Sequence, residues 1–327
     1  MKRFALFALT IVLALGLIVG CSEPKSNGIQ KETGAMKEEN NDNLKIAYIT
    51  MDLSSPYFAL MIDGMNEKAE ELGVDLSVHD GKSQVQPQID IMDTLITQKV
   101  NVIILSANDA QALKPSIDKA RDAGIKVVTA NLEPETEVDA HVSLVEYDYG
   151  LMGGEIAGEW IKENLDNAPA VAILGNFQLP AVLKRFEGLK DGILKHAPDA
   201  KVVAEQEGAD RETGMKAVET ILQANPNLQV VVSTTDDGAL GAYEALVAAG
   251  KTGDDICVVG LDAVEEAIQK IKDNTIYRGT VDIQPFESGK LIIETAIKVF
   301  KEGPMEEMIK FPMEPITKDN VDEIFGK

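Results

Sequence analysis

The chain has 327 residues, of which 45% are hydrophobic and 26% charged, and its formal net charge is −23. That hydrophobic content suits a folded globular protein, and the length suits two cores better than one. So acidic a balance lacks the basic surface with which nucleic-acid binders displace counterions, so no nucleic-acid partner is expected.

In chain order, Lys2 and Arg3 precede an uncharged, mostly apolar run from Phe4 to Val19 that stops at Gly20-Cys21. A positive start, an apolar centre and a small residue before the cut describe a secretory signal over residues 1–20. The run has 16 residues, short of the roughly 20 that a spanning helix needs. Losing Lys2 and Arg3 would take the charge from −23 to −25. Residues 21–43 hold almost nothing apolar after Cys21. Such a segment cannot bury enough surface to fold and is expected to be a disordered tether with a reach of roughly 25 Å.

From Leu44 to Lys327, short apolar runs alternate with longer amphipathic stretches. The runs predict strands at Lys45–Thr50, Asp75–His79, Val102–Leu105, Lys126–Thr129, Ala170–Leu174, Val202–Gln206, Val230–Thr234, Ile256–Gly260 and Tyr277–Val281. The stretches predict helices at Tyr57–Leu72, Val85–Gln98, Ala112–Ala123, Gly154–Asn164, Pro180–His196, Glu212–Ala224, Gly238–Ala249 and Pro285–Lys301. Alternation of this kind predicts an α/β fold with parallel sheets. The Val- and Ile-rich strands predict helices on both sheet faces. Gly73, Gly124 and Gly250 sit where a left-handed helix cap belongs. The βαβα pattern occurs twice, from Lys45 and from Ala170. In open parallel sheets the ligand crevice lies at the carboxyl ends of the strands. Residues just after the strands are therefore the candidates for a site.

No enzyme signature emerges. His79, His141 and His196 are scattered, without metal-ligand spacing. No phosphate-cradling loop or nucleophile elbow occurs, and the glycines from Gly150 to Gly158 read as close helix packing. No cofactor or metal is expected. Cys257, within the apolar run Ile256–Val259, reads as a small buried hydrophobe.

Several segments together carry a resemblance. They are Ile46-Ala47-Tyr48 running into Ser55-Pro56-Tyr57-Phe58, then Val102–Leu105, Gly124–Val128, Arg185-Phe186-Glu187-Gly188, Asp236–Ala242, Val258–Asp262 and Ile316–Asp322. In this order the chain resembles the ribose-type periplasmic sugar-binding proteins, the substrate-binding components of ABC transporters. Ile18-Val19-Gly20-Cys21 likewise resembles a bacterial lipobox, which implies lipidation at Cys21 and anchoring to the cell membrane. The resemblance implies two Rossmann-like lobes joined by a three-segment hinge: 44–147 plus 284–312, and 148–283 plus 313–327. It implies a monomer that takes a small sugar-like ligand between the lobes and hands it to ABC permease subunits. A ligand-presenting receptor for signalling, such as for an autoinducer, is the alternative, as is a binder of a less polar ligand.

Site residues follow from the same comparison. Tyr57 and Phe58 offer ring faces to a sugar. Asp52 and Ser54 either bond a hydroxyl or cap the helix, and Asn131 offers both a donor and an acceptor. Leu132 and Leu183 stand where the family usually has basic residues. Thr235 replaces a common Asn. Asp236 either joins the site or caps the following helix. Asp262 matches the family's ligand-binding acid, and Gln284 lies at the hinge. Arg185 matches an Arg that is mainly structural. Leu132, Leu183, Ala209 and Ile283 make the expected pocket less polar than a site for a fully hydroxylated ring.

Overall fold

The computed structural model describes residues 44–165, 168–178 and 180–326. The signal, the tether and Cys21 lie outside these residues. The first half of the fold contains β1 (Lys45–Thr50), α1 (Pro56–Leu72), β2 (Asp75–Asp80), α2 (Val85–Gln98), β3 (Val102–Leu105), α3 (Ala110–Asp122), β4 (Lys126–Ala130) and β5 (Ala140–Ser143). The second half contains α4 (Glu146–Asn164), β6 (Ala170–Gly175), α5 (Pro180–His196), β7 (Lys201–Glu207), α6 (Arg211–Ala224), β8 (Leu228–Ser233), α7 (Asp236–Ala248), β9 (Cys257–Val259), α8 (Glu265–Lys272) and β10 (Tyr277–Asp282). The chain then returns through α9 (Pro285–Glu302) and β11 (Ile309–Lys310) to the first half. It ends with β12 (Glu314–Thr317) and α10 (Val321–Ile324) in the second.

Two sheets result, ordered β11-β5-β4-β3-β1-β2 and β12-β10-β9-β8-β6-β7. All pairings are parallel except β10 with β12. Both sheets repeat one doubly wound order, with the strand direction of winding reversing beside β1 in one and β6 in the other. Each sheet is buried on both faces. In the first, Tyr48, Ile104 and Val128 pack on Met61 and Met65 of α1 and on Ile292 of α9. Ala47, Ile49, Ile103 and Leu105 pack on Met92 and Leu95 of α2 and Leu113 of α3. In the second, Val171, Ile173 and Val232 meet α4 and α5, while Ala172, Leu174 and Val231 meet α6 and α7. This two-sided covering explains why the central strands read as continuous apolar runs. The edge strands β2 and β7 are more polar and more exposed, as unpaired edges require.

Glycines set the closest helix contacts. A Cβ on Gly150 of α4 would fall 1.8 Å from the Arg185 carbonyl oxygen of α5, and one on Gly188 would fall 2.1 Å from that of Tyr147. Gly289 of α9 meets the Met61 carbonyl of α1 in the same way, at 2.0 Å. The sequence places the start of α4 at Gly154, but the helix begins at Glu146. Its glycines lower helix propensity, yet they sit where no side chain fits. The short elements β5, α8, β11, β12 and α10 have no counterpart in the sequence reading. β11 and α10 are too short to show a period, β5 and β12 lack the continuous apolar run that reveals β3, and α8 has only eight residues. Cys257 is buried within the second sheet.

Candidate functional site

The carboxyl ends of β1 and β4 build one wall. After β1, Asp52 orders its own turn. Its carboxylate accepts from the Ser54 amide (2.8 Å) and hydroxyl (2.7 Å), and from the Ser83 hydroxyl (2.6 Å). These bonds, that from Ser83 foremost, hold the Asp52 carboxyl below its usual range. Neither Asp52 nor Ser54 caps α1: Ser55 occupies that position without a side-chain bond, and Pro56 supplies the first helical turn. Tyr57 and Phe58 touch edge to face, with centroids 5.2 Å apart. Phe58 turns into the core beside Tyr48. Tyr57 remains half-buried, and its phenol accepts from Asn131 Nδ2 at 2.9 Å. Burial pushes that phenol up to about 12.

Asn131 follows β4 with a positive φ of 71°. Its Oδ1 accepts from Ser106 Oγ (3.0 Å), which lies 3.0 Å from the Tyr48 hydroxyl. Its carbonyl accepts from Ser143 Oγ at 2.6 Å. The amide is thereby fixed within a neutral polar chain that orients the Tyr57 ring. Leu132, next in sequence, is 41% exposed.

The second wall begins at Arg185 on α5. Its guanidinium donates to Glu146 (2.8 Å) and to the Thr234 carbonyl (2.8 Å), and it stacks on the Tyr149 ring at 4.7 Å. Arg185 thus ties α5 to α4 and β8. Tyr149 donates to Asp262 Oδ1 at 2.9 Å. Burial pushes the Asp262 carboxyl up to about 6, against the lowering effects of Tyr149 and Arg185. The backbone at Asp262 has φ 119° and at Ala263 φ 55°. Such strain in residues with side chains persists where surrounding structure fixes it, and concentrates at functional sites. Asp262 does not cap α8, whose N-cap is Val264.

Asp236 does not cap α7 either. Thr235 takes that role, accepting from Gly238 N at 3.1 Å and donating to the Ala209 carbonyl at 2.6 Å. Asp236 is fully buried. It accepts from Tyr277 (2.7 Å), Thr280 (2.8 Å) and the Val264 amide (2.8 Å), which clamps the loop carrying Asp262. Burial pushes its carboxyl up to about 7. Asp236 therefore lies beneath the site and supports it. Leu183, on the first turns of α5, is 40% exposed.

At the hinge, Gln284 has φ 44° and precedes Pro285. Its amide nitrogen donates to Asp282 Oδ1 (2.8 Å), and its Nε2 donates to Glu314 (2.8 Å). Between Tyr57, Asp262 and the hinge lies an open cavity of about 950 Å³. Its lining comprises Pro56, Tyr57 and Leu60 from one lobe, residues 262–265 from the other, hinge residues 282–287, and Phe325. Of the sequence-predicted residues, Tyr57, Asp262 and Gln284 share this lining. Asp52, Ser54, Asn131, Leu132, Leu183 and Thr235 lie outside it, while Phe58 and Asp236 are buried beneath the walls. Sequence reasoning missed Leu60, Asp282 and Phe286. Leu60 stands three residues after Tyr57, so helical spacing alone puts both on one face.

A model of the periplasmic binding protein domain matches residues 46–304. The chain belongs to that family. It is 28% identical over 309 residues to the ribose import binding protein of Bacillus subtilis, covering 93% of this chain and 95% of the relative. It is 31% identical over 242 residues to the D-apiose import binding protein of Actinobacillus succinogenes, covering 73% and 75%. Among solved structures, an ABC transporter periplasmic solute-binding protein from the same organism, with bound D-allose, superposes with a TM-score of 0.67. Identity there is 25%, over 85% of this chain and 99% of that one. Among the described residues, no helix is long and apolar enough to cross a membrane.

Proposed function

We propose that this periplasmic binding protein captures a small sugar-like solute between its lobes and delivers it to an ABC importer outside the cytoplasm. The observation that carries this reading is the cavity of about 950 Å³, where Tyr57 of one lobe and Asp262 of the other share a lining with hinge residue Gln284. An aromatic face suits the apolar side of a ring, and a carboxylate accepts strongly from the groups on its edge. The lobes are 44–147 plus 284–312 and 148–283 plus 313–327, and the three crossings between them form the hinge about which they close. Lipid at Cys21 would hold the body, as a monomer, near its permease. Tyr57, Leu60 and Ile283 in the lining favour a solute that presents an apolar face.

The test is a thermal-shift screen of the full chain against sugars, deoxysugars, polyols, amino sugars and nucleosides. A ligand at about 1,000 times its Kd adds roughly 4 kcal/mol of stability, so the expected result is a shift of several degrees for one chemical class. No shift with any solute in the collection, in a chain that unfolds cooperatively, would count against solute capture.

A further inference from the structure

We propose that the captured solute carries a cationic nitrogen beside an apolar face. This rests on the solute-binding reading and names the class of solute. The cavity and the family make the cleft a site; the charges on its walls decide what enters.

The lining holds four carboxylates, Asp262, Glu265, Asp282 and Glu287, and no Lys or Arg. Among the described residues, Glu287 is the one of these four in an ion pair, with Lys290 at 3.2 Å. Asp262 takes its hydrogen bond from the neutral Tyr149 phenol, and Asp282 takes its own from the Gln284 backbone amide. Asp282 ends β10 and Asp262 follows the neighbouring β9, its amide donating to the Val281 carbonyl at 3.1 Å. Behind Asp282 stands another acid, Glu314, whose partner is again the neutral Gln284 side chain. Arg185 is a cation whose charge Asp262 feels. Its guanidinium is held by Glu146 at 2.7 Å and by the Thr234 carbonyl, so its charge is already matched.

Two partly buried carboxylates, Asp262 and Asp282, thus line one cavity, each with a neutral hydrogen-bond donor. Closing the lobes removes more water from them. A carboxylate buried without a counter-charge is costly, so closure over a neutral solute leaves negative charge unpaired. An ammonium in the cavity pairs with a carboxylate of this lining through a charge-assisted bond. The rest of the lining suits the remainder of such a molecule. Tyr57, Leu60 and Ile283 give it an apolar bed, and a ring face such as that of Tyr57 also attracts a cation.

The test uses calorimetric titration of the full chain with matched pairs that differ in one nitrogen. D-ribose is compared with 1,4-dideoxy-1,4-imino-D-ribitol, and D-glucose with D-glucosamine, near neutral pH. The expected result is that the amine of at least one pair binds about tenfold more tightly than its neutral twin, or better. Asp282→Asn should bring the ratio of amine to neutral affinity towards one, and added salt should weaken only the amine. Binding confined to neutral solutes, here and in the wider screen, would overturn the cation while leaving solute capture intact. No binding of any solute would overturn both.

Discussion

The two lobes repeat one strand order, yet the loops at equivalent strand ends do different chemistry. In the first lobe, Asn131 after β4 gives both ends of its amide to Ser106 and Tyr57, so that wall is a neutral, fixed aromatic surface. In the second, Asp262 after β9 keeps a carboxylate on the cavity, braced from behind by Tyr149 and Arg185. The repeated fold supplies two crevices, and the local hydrogen bonds decide which one carries charge. One wall offers shape and the other offers electrostatic attraction.

The sharpest way to break this comparison is Asp262→Gly. Glycine accepts the φ of 119° found there, so the substitution removes the charge without adding strain. Affinity for the strongest solute should fall about a hundredfold or more, on the order of 3 kcal/mol, with the melting temperature nearly unchanged. Retained affinity in titration would remove the charged wall from the account.

Paired glycine substitutions come next. In Gly150→Ala the new Cβ would meet the Arg185 carbonyl at 1.8 Å, and in Gly289→Ala it would meet the Met61 carbonyl at 2.0 Å. Each should lose about 3 kcal/mol in denaturant unfolding. Gly150→Ala shifts the helix pair that holds Arg185 and Tyr149, and Gly289→Ala shifts the pair that carries Tyr57, Leu60 and Phe286 to the cavity, so both should also weaken binding several-fold in the molecules that remain folded. Unchanged binding in folded Gly150→Ala would mean that the bracing of Asp262 is unimportant.

Tyr57→Phe keeps the ring and removes the acceptor for Asn131. The loss should be about 1 kcal/mol of stability with only a small change in affinity, because the neutral wall acts through its face. A collapse of binding in titration would show that the phenol itself meets the solute.

The last contrast is in pH dependence, and it belongs to the second lobe. Folding raises the Asp236 carboxyl to about 7 and the Asp262 carboxyl to about 6. Burial favours the protonated form, so this contribution is complete below the unfolded value near about 4. It is lost progressively as pH rises through 6 and 7. Stability without ligand should therefore decline across that window, and Asp236→Asn should flatten the decline in melting scans taken at several pH values.

The architecture was readable because the physics that builds it is local. Apolar runs such as Val102–Leu105 and caps such as Gly73 report directly on buried strands and helix ends. Of the residues the sequence nominates, Tyr57 and Asp262 from the strand-end pattern and Gln284 at the hinge line the cavity. Asp236 carries the same local signal as Asp262, an acid just after an apolar strand, but the fold buries it under Tyr277 and Thr280. Asp282 and Phe286 reach the cavity only because the hinge brings the chain back between the lobes, a juxtaposition no local pattern encodes. Arg185 read as structural, and its bonds to Glu146 and Thr234 give it that role.

The central claim is that one small solute sits between Tyr57 and Asp262. A crystal structure of the full chain with its strongest-binding solute tests this most directly. The account predicts a single molecule in the cleft, with a polar group about 3 Å from an Asp262 oxygen and an apolar face against the Tyr57 ring. A solute bound elsewhere, with the cavity between the lobes holding only water, would contradict it.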